Sequence, residues 1–574
     1  MSIILGINYS HPGSSACILV DGKPVVAIAE ERLNRIKYYA GFPILSIKAC
    51  LKIANIKLSD IEHVAIPSDT TANYFEKVKY GLKNPKKIYN LIKIHNSKDS
   101  LSNLKSLLSK YFDSNDFKFK QHNIEHHIAH ISSAYFISKW NNSSGFSLDG
   151  SGDFVSTMFA ECRDNNINVK YREHIPNSLG SFYTMICELI GFSNYGDEGK
   201  VMGLAAYGSN NFKELLDDVV GIKSKGFEIN KKYFKTFGSN YGIKIDDRGK
   251  ASIESHISDY AIKKFGKPTL FHTALSSRDM DLAYSLQNKF EEIYLKLLNQ
   301  LHNLVPNENV CMAGGATLNS VANGKIFDST PFNKTCIQPA AGDDGLSLGA
   351  ALYVYHSVLG NKDRYVMNGS YLGPEFSDNE IRKELIKFNM SFEKLNYKNL
   401  ITKVVDNICD NKVVGWFQGK MEWGPRALGN RSILANPNSP IMKDILNKRI
   451  KQREWFRPFA PVVLENYQNE IFECNHPSPN MTHVYKIKKD WRERLTAVNH
   501  VDNTGRLQTI SRDQNKKYYD LIKEFKKRTG IPVLLNTSFN ENEPIVCYPK
   551  SAISCFLRTE MDLLVIGNYY CIKK

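Results

Sequence analysis

The sequence predicts an α/β protein with more than one domain. Its 574 residues exceed what one hydrophobic core of about 100–200 residues accommodates. Predicted strands and helices alternate along the chain, as they do in α/β proteins. A short predicted strand, 309–312, runs into Gly314-Gly315 and then into a predicted helix. Glycines between a strand and a helix start are typical of sites that bind phosphate groups.

The individual elements follow from apolar periodicity and turn residues. Residues 2–30 predict a β-meander of three strands, with a turn at Asp21-Gly22 between the second and third. A long helix is predicted from about Arg278 to Leu304. The remaining predicted strands are 61–66, 145–149, 154–161, 168–174 and 335–338, and the remaining helices are 45–54 and 182–190.

The main domain boundary is predicted near residue 365. Residues 360–377 show little periodicity and contain the turn-like pair Gly373-Pro374. We therefore expect one domain over 1–365 and a second over 366–574.

Composition excludes several classes of protein. The chain is 42% hydrophobic, 11% aromatic and 23% charged, and contains no apolar run long enough to cross a bilayer. The first residues predict a strand rather than a basic leader with a cleavage site, which favours a cytoplasmic location. None of the 11 cysteines forms a CxxC pair for zinc or redox chemistry.

The net charge of +16 is compatible with nucleic acid, an anionic surface or phosphorylated substrates. Part of the charge lies between Lys77 and Lys120, where 11 lysines face three aspartates in a helical pattern. A solvated, lysine-rich helical insertion is the favoured interpretation of that segment.

A histidine pair is the first candidate for site chemistry. His126 and His130 are four residues apart, so on a helix they share one face and can ligate one metal ion. Asp149, at the end of a predicted strand, is a candidate third ligand. His122 and His126 have the same spacing, and packing or capping histidines explain the pattern equally well. Spacing alone leaves the question open.

Several glycines and carboxylates are candidates for a nucleotide site. Asp343 stands with Asp344 between a predicted strand and a helix start, where a carboxylate serves either a ligand or an N-cap. Gly314 and Gly315 with Asn319 suit either a nucleotide or a tight turn. The Gly150 region lets backbone amides approach phosphate. A Walker P-loop and a GxGxxG motif are both missing from the sequence.

The second predicted domain carries a cluster of cationic residues. Residues 420–460 contain nine Lys or Arg against three acidic residues, interspersed with Trp, Phe, Pro and Gly. Arginine forks suit phosphates, and the mixed composition favours a polyphosphate pocket over a nucleic-acid surface. Asn536 and Ser538 follow an apolar run that predicts a strand, so they are candidates for the same pocket or for a turn.

Taken together, these motifs resemble the O-carbamoyltransferase family that modifies antibiotics, nodulation factors and similar hydroxylated metabolites. The resemblance spans nearly the whole chain. Its segments are 4–16, 29–32, 126–130, 148–153, 198–204, 314–319, 342–349, 424–434, 451–461 and 536–540.

The resemblance implies a fold and a two-step reaction. The first domain would be a duplicated actin/Hsp70-like domain, similar to threonylcarbamoyl-transferring enzymes, and the second would be YrdC-like. In the second domain, carbamoyl phosphate and ATP with Mg²⁺ would form carbamoyl-adenylate. In the first domain, the carbamoyl group would pass to a hydroxyl of a small molecule or saccharide.

The resemblance also implies residue roles. Carbamoyl phosphate and ATP would contact Arg426, Arg457, Arg506, Asn536 and Ser538, with Lys420, Arg431 and Arg453 as further candidates. The metal, iron(II) by resemblance only, would be held by His126, His130, Asp149 and Asp343, which decides against His122. The adenylate would lie against Gly150, Gly314, Gly315 and Asn319, and His11 would contact the acceptor.

The sequence departs from the family pattern at two positions. Pro12 stands where many relatives have Asp, and Asn503 stands where Gly is usual. These departures concern the acceptor side and the loop before Arg506.

Three alternatives remain at this level. The first is a hydrogenase-maturation carbamoyltransferase, although its acylphosphatase unit and paired-cysteine motifs are lacking. The second is a tRNA threonylcarbamoyl-type enzyme, and the third is a non-catalytic nucleotide- or RNA-binding protein. Nucleic acid and membrane are not expected partners, while the acceptor and the oligomeric state, a homodimer included, are left open.

Overall fold

A computed structural model describes residues 2–83, 104–112, 117–235, 243–270 and 273–573. The chain divides into two compact units. Unit 1 comprises residues 1–30, 38–318 and 325–367, and unit 2 comprises residues 31–37, 319–324 and 368–574. The chain therefore changes unit five times.

Unit 1 contains two five-stranded sheets with the same topology. The first has the order β3-β2-β1-β4-β5. The second, written from the corresponding edge, has the order β8-β7-β6-β13-β14. In each sheet the first three strands form an antiparallel meander, and the two remaining strands run parallel to the first. The strands are β1 Ile3–Asn8, β2 Ser15–Val20, β3 Lys23–Ala29, β4 His63–Ile66, β5 Lys120–Asn123, β6 Asn142–Gly152, β7 Val155–Arg163, β8 Asn166–His174, β9 Val220–Ile222, β10 Phe227–Ile229, β11 Ile243–Ile245, β12 Ala251–Ile253, β13 Asn309–Ala313 and β14 Lys334–Ile337.

The predicted meander and the predicted strands of unit 1 are confirmed within a few residues at their ends. Strands β9 with β10 and β11 with β12 form two separate hairpins.

The helices of unit 1 cover the sheets and bury their apolar faces. The longest, Ser277–Leu304, confirms the predicted helix and begins with a capping box in which Ser276 and Asp279 satisfy each other's backbone N–H groups. The described α-helices of this unit are Ile44–Ala54, Tyr74–Lys83, Leu104–Phe112, His126–Tyr135, Leu179–Leu189, Glu198–Leu204, Lys213–Val219, Asp259–Phe265, Ser277–Leu304, Ile326–Ser329 and Leu346–Tyr353.

The lysine-rich segment is helical over 77–83 and 104–112, whereas residues 117–120 lead into strand β5. Helices Tyr74–Lys83 and Leu104–Phe112 lie within or overlap the lysine-rich segment. The rest of the predicted insertion, 84–103 and 113–116, lies outside the described residues.

Unit 2 is built on one mixed nine-stranded sheet with the order β15-β23-β22-β16-β17-β21-β18-β20-β19. Its strands are β15 Ser391–Lys394, β16 Val414–Phe417, β17 Arg431–Ala435, β18 Ala460–Leu464, β19 His483–Lys486, β20 Thr504–Ile510, β21 Val533–Ser538, β22 Leu563–Ile566 and β23 Tyr569–Ile572. Its longer helices are Asp378–Lys387, Tyr397–Cys409, Lys516–Thr529 and Pro549–Arg558, and its short helices are Glu31–Asn34, Ser320–Asn323, Met442–Ile445, Gln468–Ile471 and Lys489–Arg492. The central strands and the long helices share one extended hydrophobic core.

Two short segments from the first part of the sequence belong to unit 2. Arg32 donates to the backbone carbonyl of Gly424 at 3.0 Å, and Arg35 donates to that of Ile545 at 2.7 Å. Asn323 donates to the carbonyl of Thr482 at 2.9 Å. Each segment is therefore held by buried or half-buried polar contacts to residues far along the chain.

Within the described ranges, none of the helices combines the length and the apolar character that crossing a membrane requires.

Candidate functional site

Four side chains of unit 1 converge on one point. They are His126, His130, Asp149 and Asp343, hereafter the His/Asp cluster, and one ligand atom of each lies within 4.8 Å of the others. The two histidine Nε2 atoms are 3.1 Å apart. Each lies between 3.5 and 3.7 Å from Asp149 Oδ2 and Asp343 Oδ1.

Four elements deliver these side chains. His126 and His130 stand one turn apart on the helix His126–Tyr135, both buried. Asp149 lies near the end of β6, and Asp343 begins the 3-10 turn Asp343–Gly345 that leads into the helix Leu346–Tyr353. His122 lies instead in strand β5, where its Nε2 is 3.1 Å from His63 Nδ1. The helical spacing of His122 and His126 therefore has no structural counterpart.

The geometry of the His/Asp cluster fits a metal ion. Ligand atoms about 2.1 Å from one tetrahedral ion lie roughly 3.4 Å apart, close to the separations found here. Asp343 Oδ1 is buried and has no hydrogen-bond partner among the residues that the structure describes. Two imidazoles and two carboxylates are donors for iron, manganese or zinc, so the donor set does not select one metal.

The charges within the cluster are strongly coupled. Burial disfavours the charged form of His126, but the adjacent carboxylates of Asp149 and Asp343 outweigh this effect and raise its pKa to about 10. Burial and the facing Asp343 carboxylate disfavour the charge on Asp149, yet the two histidines hold its pKa below the usual value. The buried carboxylates of Asp149 and Asp343 face each other, and their negative charges repel unless a positive charge lies between them.

His11 adjoins the cluster through Asp343. It lies in the turn between β1 and β2, and its Nδ1 is 3.0 Å from Asp343 Oδ2. The same turn is fixed by Asn8, whose side-chain amide donates to the carbonyls of Gly13 and Asp343 at 2.9 and 2.7 Å. About a quarter of the His11 side chain is exposed, so a bound molecule can reach it.

Of the glycines predicted to face a nucleotide, three lie in unit 1 beside Asp149. The backbone N–H of Gly315 donates to Asp149 Oδ1 at 2.9 Å. Gly314 has φ +100°, and a Cβ there would meet the Leu148 carbonyl at 2.2 Å, so only glycine fits. A Cβ at Gly150 would enter open space. Asn319 belongs to unit 2, where its side chain accepts from the N–H of Ala322 and caps the helix Ser320–Asn323.

In unit 2, the structure brings four of the predicted arginines together. They are Arg426, Arg453, Arg457 and Arg506, hereafter the arginine cluster. Burial together with the charges of the other three holds the pKa of Arg506 well below its usual value. The buried Nε of Arg506 has no acceptor in the part of the chain that the structure describes. A desolvated guanidinium with an unpaired donor, surrounded by further arginines, is an arrangement that suits an anion.

Asn536 and Ser538 stand at the end of β21. Asn536 is buried and donates to the carbonyl of Ala427 at 3.1 Å, beside Arg426 in the sequence. Ser538 donates to Asn540 Oδ1 at 2.7 Å. Both residues lie among the last three residues of the strand rather than in a loop after it.

The structure gives the remaining predicted cations different surroundings. Arg431 is fully buried, its guanidinium donates to the carbonyls of Pro374 and Gly419, and it lies 3.7 Å from the centre of the Phe417 ring. Its terminal nitrogens are therefore used to hold the protein's own loops. Lys420 is exposed.

Lys451 is a residue that sequence reasoning did not select. Its ammonium is buried and bonds to Ser538 Oγ at 3.2 Å and to the backbone and side-chain oxygens of Asn540 at 2.8 and 2.7 Å. Lys451 thus fixes the loop that carries Ser538. Its position directly before Gln452 and Arg453 in a cationic motif was the only signal in the sequence.

Replacing Lys451 by Met is expected to lower the free energy of unfolding of unit 2 by about 1–3 kcal/mol, because the Ser538 and Asn540 oxygens lose a buried donor. Urea denaturation followed by tryptophan fluorescence measures the change. Lys448→Met is the matched control, since the Lys448 side chain is 70% exposed and pairs only with Asp444. Equal stability of the two variants would show that the Lys451 contacts do not hold this loop.

Glu422 is a second residue that the sequence did not reveal. One of its oxygens accepts from the backbone N–H groups of Leu428, Asn430 and Arg431 at 2.7 to 3.1 Å. A single buried carboxylate thereby shapes the loop that follows Arg426.

Comparison with known proteins adds independent information. Residues 3–352 match the family model "Carbamoyltransferase N-terminus", and residues 405–573 match "Carbamoyltransferase C-terminus". An uncharacterized protein of Synechocystis sp. is 36% identical over 100% of this chain and 97% of its own length.

Two nodulation proteins are also similar. NolNO of Sinorhizobium fredii is 34% identical over 100% of this chain and 80% of its own, and NolO of Bradyrhizobium diazoefficiens is 36% identical over 79% of each. Among solved structures, HypF of T. kodakarensis is 11% identical over 62% of this chain and 48% of its own, with a TM-score of 0.30, which is too low to carry an argument.

Proposed function

Because the chain belongs to the carbamoyltransferase family and is therefore an enzyme, we propose that it is an ATP-dependent O-carbamoyltransferase that works in two steps. Carbamoyl phosphate and ATP are converted to carbamoyl-adenylate in residues 366–574. The carbamoyl group then passes to an acceptor hydroxyl in residues 1–365.

Two features of the fold support this division. The identical strand order and direction of the two sheets in unit 1 agree with a duplicated actin/Hsp70-like domain. Unit 2, built on a single mixed sheet whose strand β20 carries Arg506, is proposed to be YrdC-like.

The arginine cluster is the observation that carries the first step. The desolvated guanidinium groups of Arg453 and Arg506, together with the neighbouring charges of Arg426 and Arg457, favour a ligand with several negative charges. Carbamoyl phosphate and ATP are both such ligands. We assign their binding to Arg426, Arg453, Arg457, Arg506, Asn536 and Ser538, with Lys451 and Arg431 holding the surrounding loops.

The first step balances as follows. Water releases inorganic phosphate from carbamoyl phosphate and leaves carbamate. A carbamate oxygen forms a bond to the α-phosphorus of ATP, and the bond between the α-phosphorus and the α,β-bridging oxygen breaks to release pyrophosphate. The cationic donors of the cluster offset the charge that develops on the phosphate oxygens.

In the second step, the acceptor oxygen bonds to the carbamoyl carbon and AMP leaves. Gly150, Gly314 and Gly315 offer backbone next to Asp149 for the adenylate. His11 Nε2 is proposed to take the proton of the acceptor hydroxyl, while Asp343 holds the opposite ring nitrogen. His126, His130, Asp149 and Asp343 would hold a divalent ion, which would supply Lewis-acid stabilisation of the leaving phosphate or the carbamoyl oxygen.

The remaining assignments follow from family membership. The acceptor is a hydroxylated small molecule or saccharide, ATP is used with Mg²⁺, and the cluster metal is proposed to be iron(II). A cytoplasmic location and a homodimer stay predictions.

The test is pyrophosphate release by the full-length protein with ATP and Mg²⁺, with and without carbamoyl phosphate and in the absence of any acceptor. We expect release that requires carbamoyl phosphate. Release without carbamoyl phosphate would indicate a different donor. Salt-sensitive RNA binding without ATP turnover would replace the enzyme proposal by a binding role.

A further inference from the structure

The helix that carries both histidines of the His/Asp cluster lacks its own side-chain cap. Its N-cap residue is Glu125, whose side chain makes no capping hydrogen bond. The Glu125 carboxylate instead forms a bidentate pair with Arg172, with N–O distances of 2.9 and 2.8 Å. The first N–H groups of a helix need acceptors, and here the residue in position to provide one is engaged elsewhere.

The acceptor for the first N–H group of this helix is supplied by Asp153, in the turn between β6 and β7. Asp153 Oδ2 accepts from the backbone N–H of His126 at 2.9 Å, and this bond is buried. The same oxygen accepts from the N–H of Asp69 at 2.9 Å, and Oδ1 accepts from Ser68 Oγ at 3.2 Å. One carboxylate thus joins the helix start to the segment that follows β4.

The strand that leads into the Asp153 turn carries a member of the cluster. Asp149 lies near the end of β6, and three residues separate it from Asp153. Between them, Gly152 packs under the imidazole of His126, since a Cβ at Gly152 would lie 2.1 Å from that ring. The end of β6 and the turn after it therefore present one ligand directly and fix the helix that presents two others.

Asp153 and Phe154 form the two-residue turn of the hairpin between β6 and β7, in which Gly152 pairs with Val155. Asp153 has φ +47° and Phe154 has φ +75°. Positive φ at both central residues is what a tight type I′ hairpin turn requires. The hairpin turn therefore places the Asp153 carboxylate at the helix start.

We propose that Asp153 is a positioning residue for the metal site, which sets the location of His126 and His130 relative to Asp149 by capping their helix from outside. This inference rests on the proposed metal binding by the His/Asp cluster. Asp153 does not itself reach the ligand atoms. It acts through the backbone of His126, as residues that orient metal ligands do.

The test is titration of the full-length protein with Co²⁺ alone, followed by visible absorption, which reports the coordination geometry and requires no turnover. Asp153→Ala is expected to weaken Co²⁺ binding by about 10- to 100-fold and to change the absorption spectrum. Asp153→Asn is expected to keep the affinity to within about threefold, because its amide oxygen can accept from both N–H groups while its amide nitrogen donates to Ser68.

Ser258→Ala is the matched control. Ser258 caps the helix Asp259–Phe265 in the same unit by accepting from the N–H of Ala261, and that helix carries no member of the cluster. It is expected to leave both affinity and spectrum unchanged, so a general loss of stability is distinguished from misplaced ligands.

If Asp153→Ala does not fold, Asp153→Glu against Asp153→Asn decides, because Glu keeps the charge but displaces the carboxylate and is expected to weaken binding. Unchanged Co²⁺ affinity and spectrum in both the Ala and Glu variants would overturn the inference while leaving the metal site in place. Failure of the unaltered protein to bind Co²⁺ would overturn both.

Discussion

His130→Ala is expected to lower carbamoyl transfer about 100-fold or more, equivalent to ~2.7 kcal/mol of transition-state stabilisation, while carbamoyl phosphate-dependent pyrophosphate release continues. The imidazole removed is completely buried, and its Nε2 lies 3.5 to 3.7 Å from both cluster carboxylates. Because the first step is proposed to use the arginine cluster of unit 2, we expect it not to depend on this side chain.

Transfer is measured by mass spectrometry on the first hydroxylated compound that the unaltered enzyme carbamoylates. His122→Ala serves as the control, since His122 is also a mostly buried histidine of unit 1 but contacts His63 rather than the cluster. It is expected to retain transfer. Loss of pyrophosphate release together with transfer in His130→Ala would contradict the assignment of the two steps to different units.

Arg506→Gln is expected to give the reverse pattern. This substitution removes the guanidinium of Arg506, whose pKa is lowered by burial and by the charges of three neighbouring arginines. We therefore expect pyrophosphate release to fall by about 100- to 1,000-fold. Co²⁺ binding at the His/Asp cluster is expected to persist. A pyrophosphate-release assay measures the first effect and absorption spectroscopy the second.

Arg512→Gln provides the matched control within unit 2. The Arg512 side chain is 63% exposed and lies 3.9 Å from Asp520, so its loss is expected to leave pyrophosphate release unchanged. Equal activity of the Arg506 and Arg512 variants would remove the arginine cluster from the first step.

Much of the fold of unit 1 could be predicted from local sequence signals. The β-meander of residues 2–30 has clear apolar strands and a turn at Asp21-Gly22, and the helix from Ser277 has a capping box and sustained periodicity. Each of these signals comes from residues close together in the chain, so it can be recognised in a single sequence. The repeated strand order of the two sheets is a property of long-range pairing, and no motif reveals it.

The candidate site was less accessible for the same reason. His126 and His130 are neighbours on a helix, but Asp343 joins them from more than 200 residues away. The cap from Asp153 crosses 27 residues, and Lys451 reaches Asn540 across 89. Conversely, the spacing of His122 and His126 suggested that they share a helical face. The structure places His122 in strand β5, so the two side chains do not form a pair. Charge could identify the arginine-rich motif, but it did not distinguish the buried Arg431 from the cluster.

The path of the chain between the two units limits how the protein can be divided. Residues 31–37 and 319–324 lie in the first part of the sequence but find their partners around Gly424, Ile545 and Thr482. A single cut near residue 367 would leave Arg32, Arg35 and Asn323 on a fragment that lacks those partners. The two halves of the gene therefore do not encode independent folding units. Recombination near residue 367 would separate Arg32, Arg35 and Asn323 from the residues that they contact.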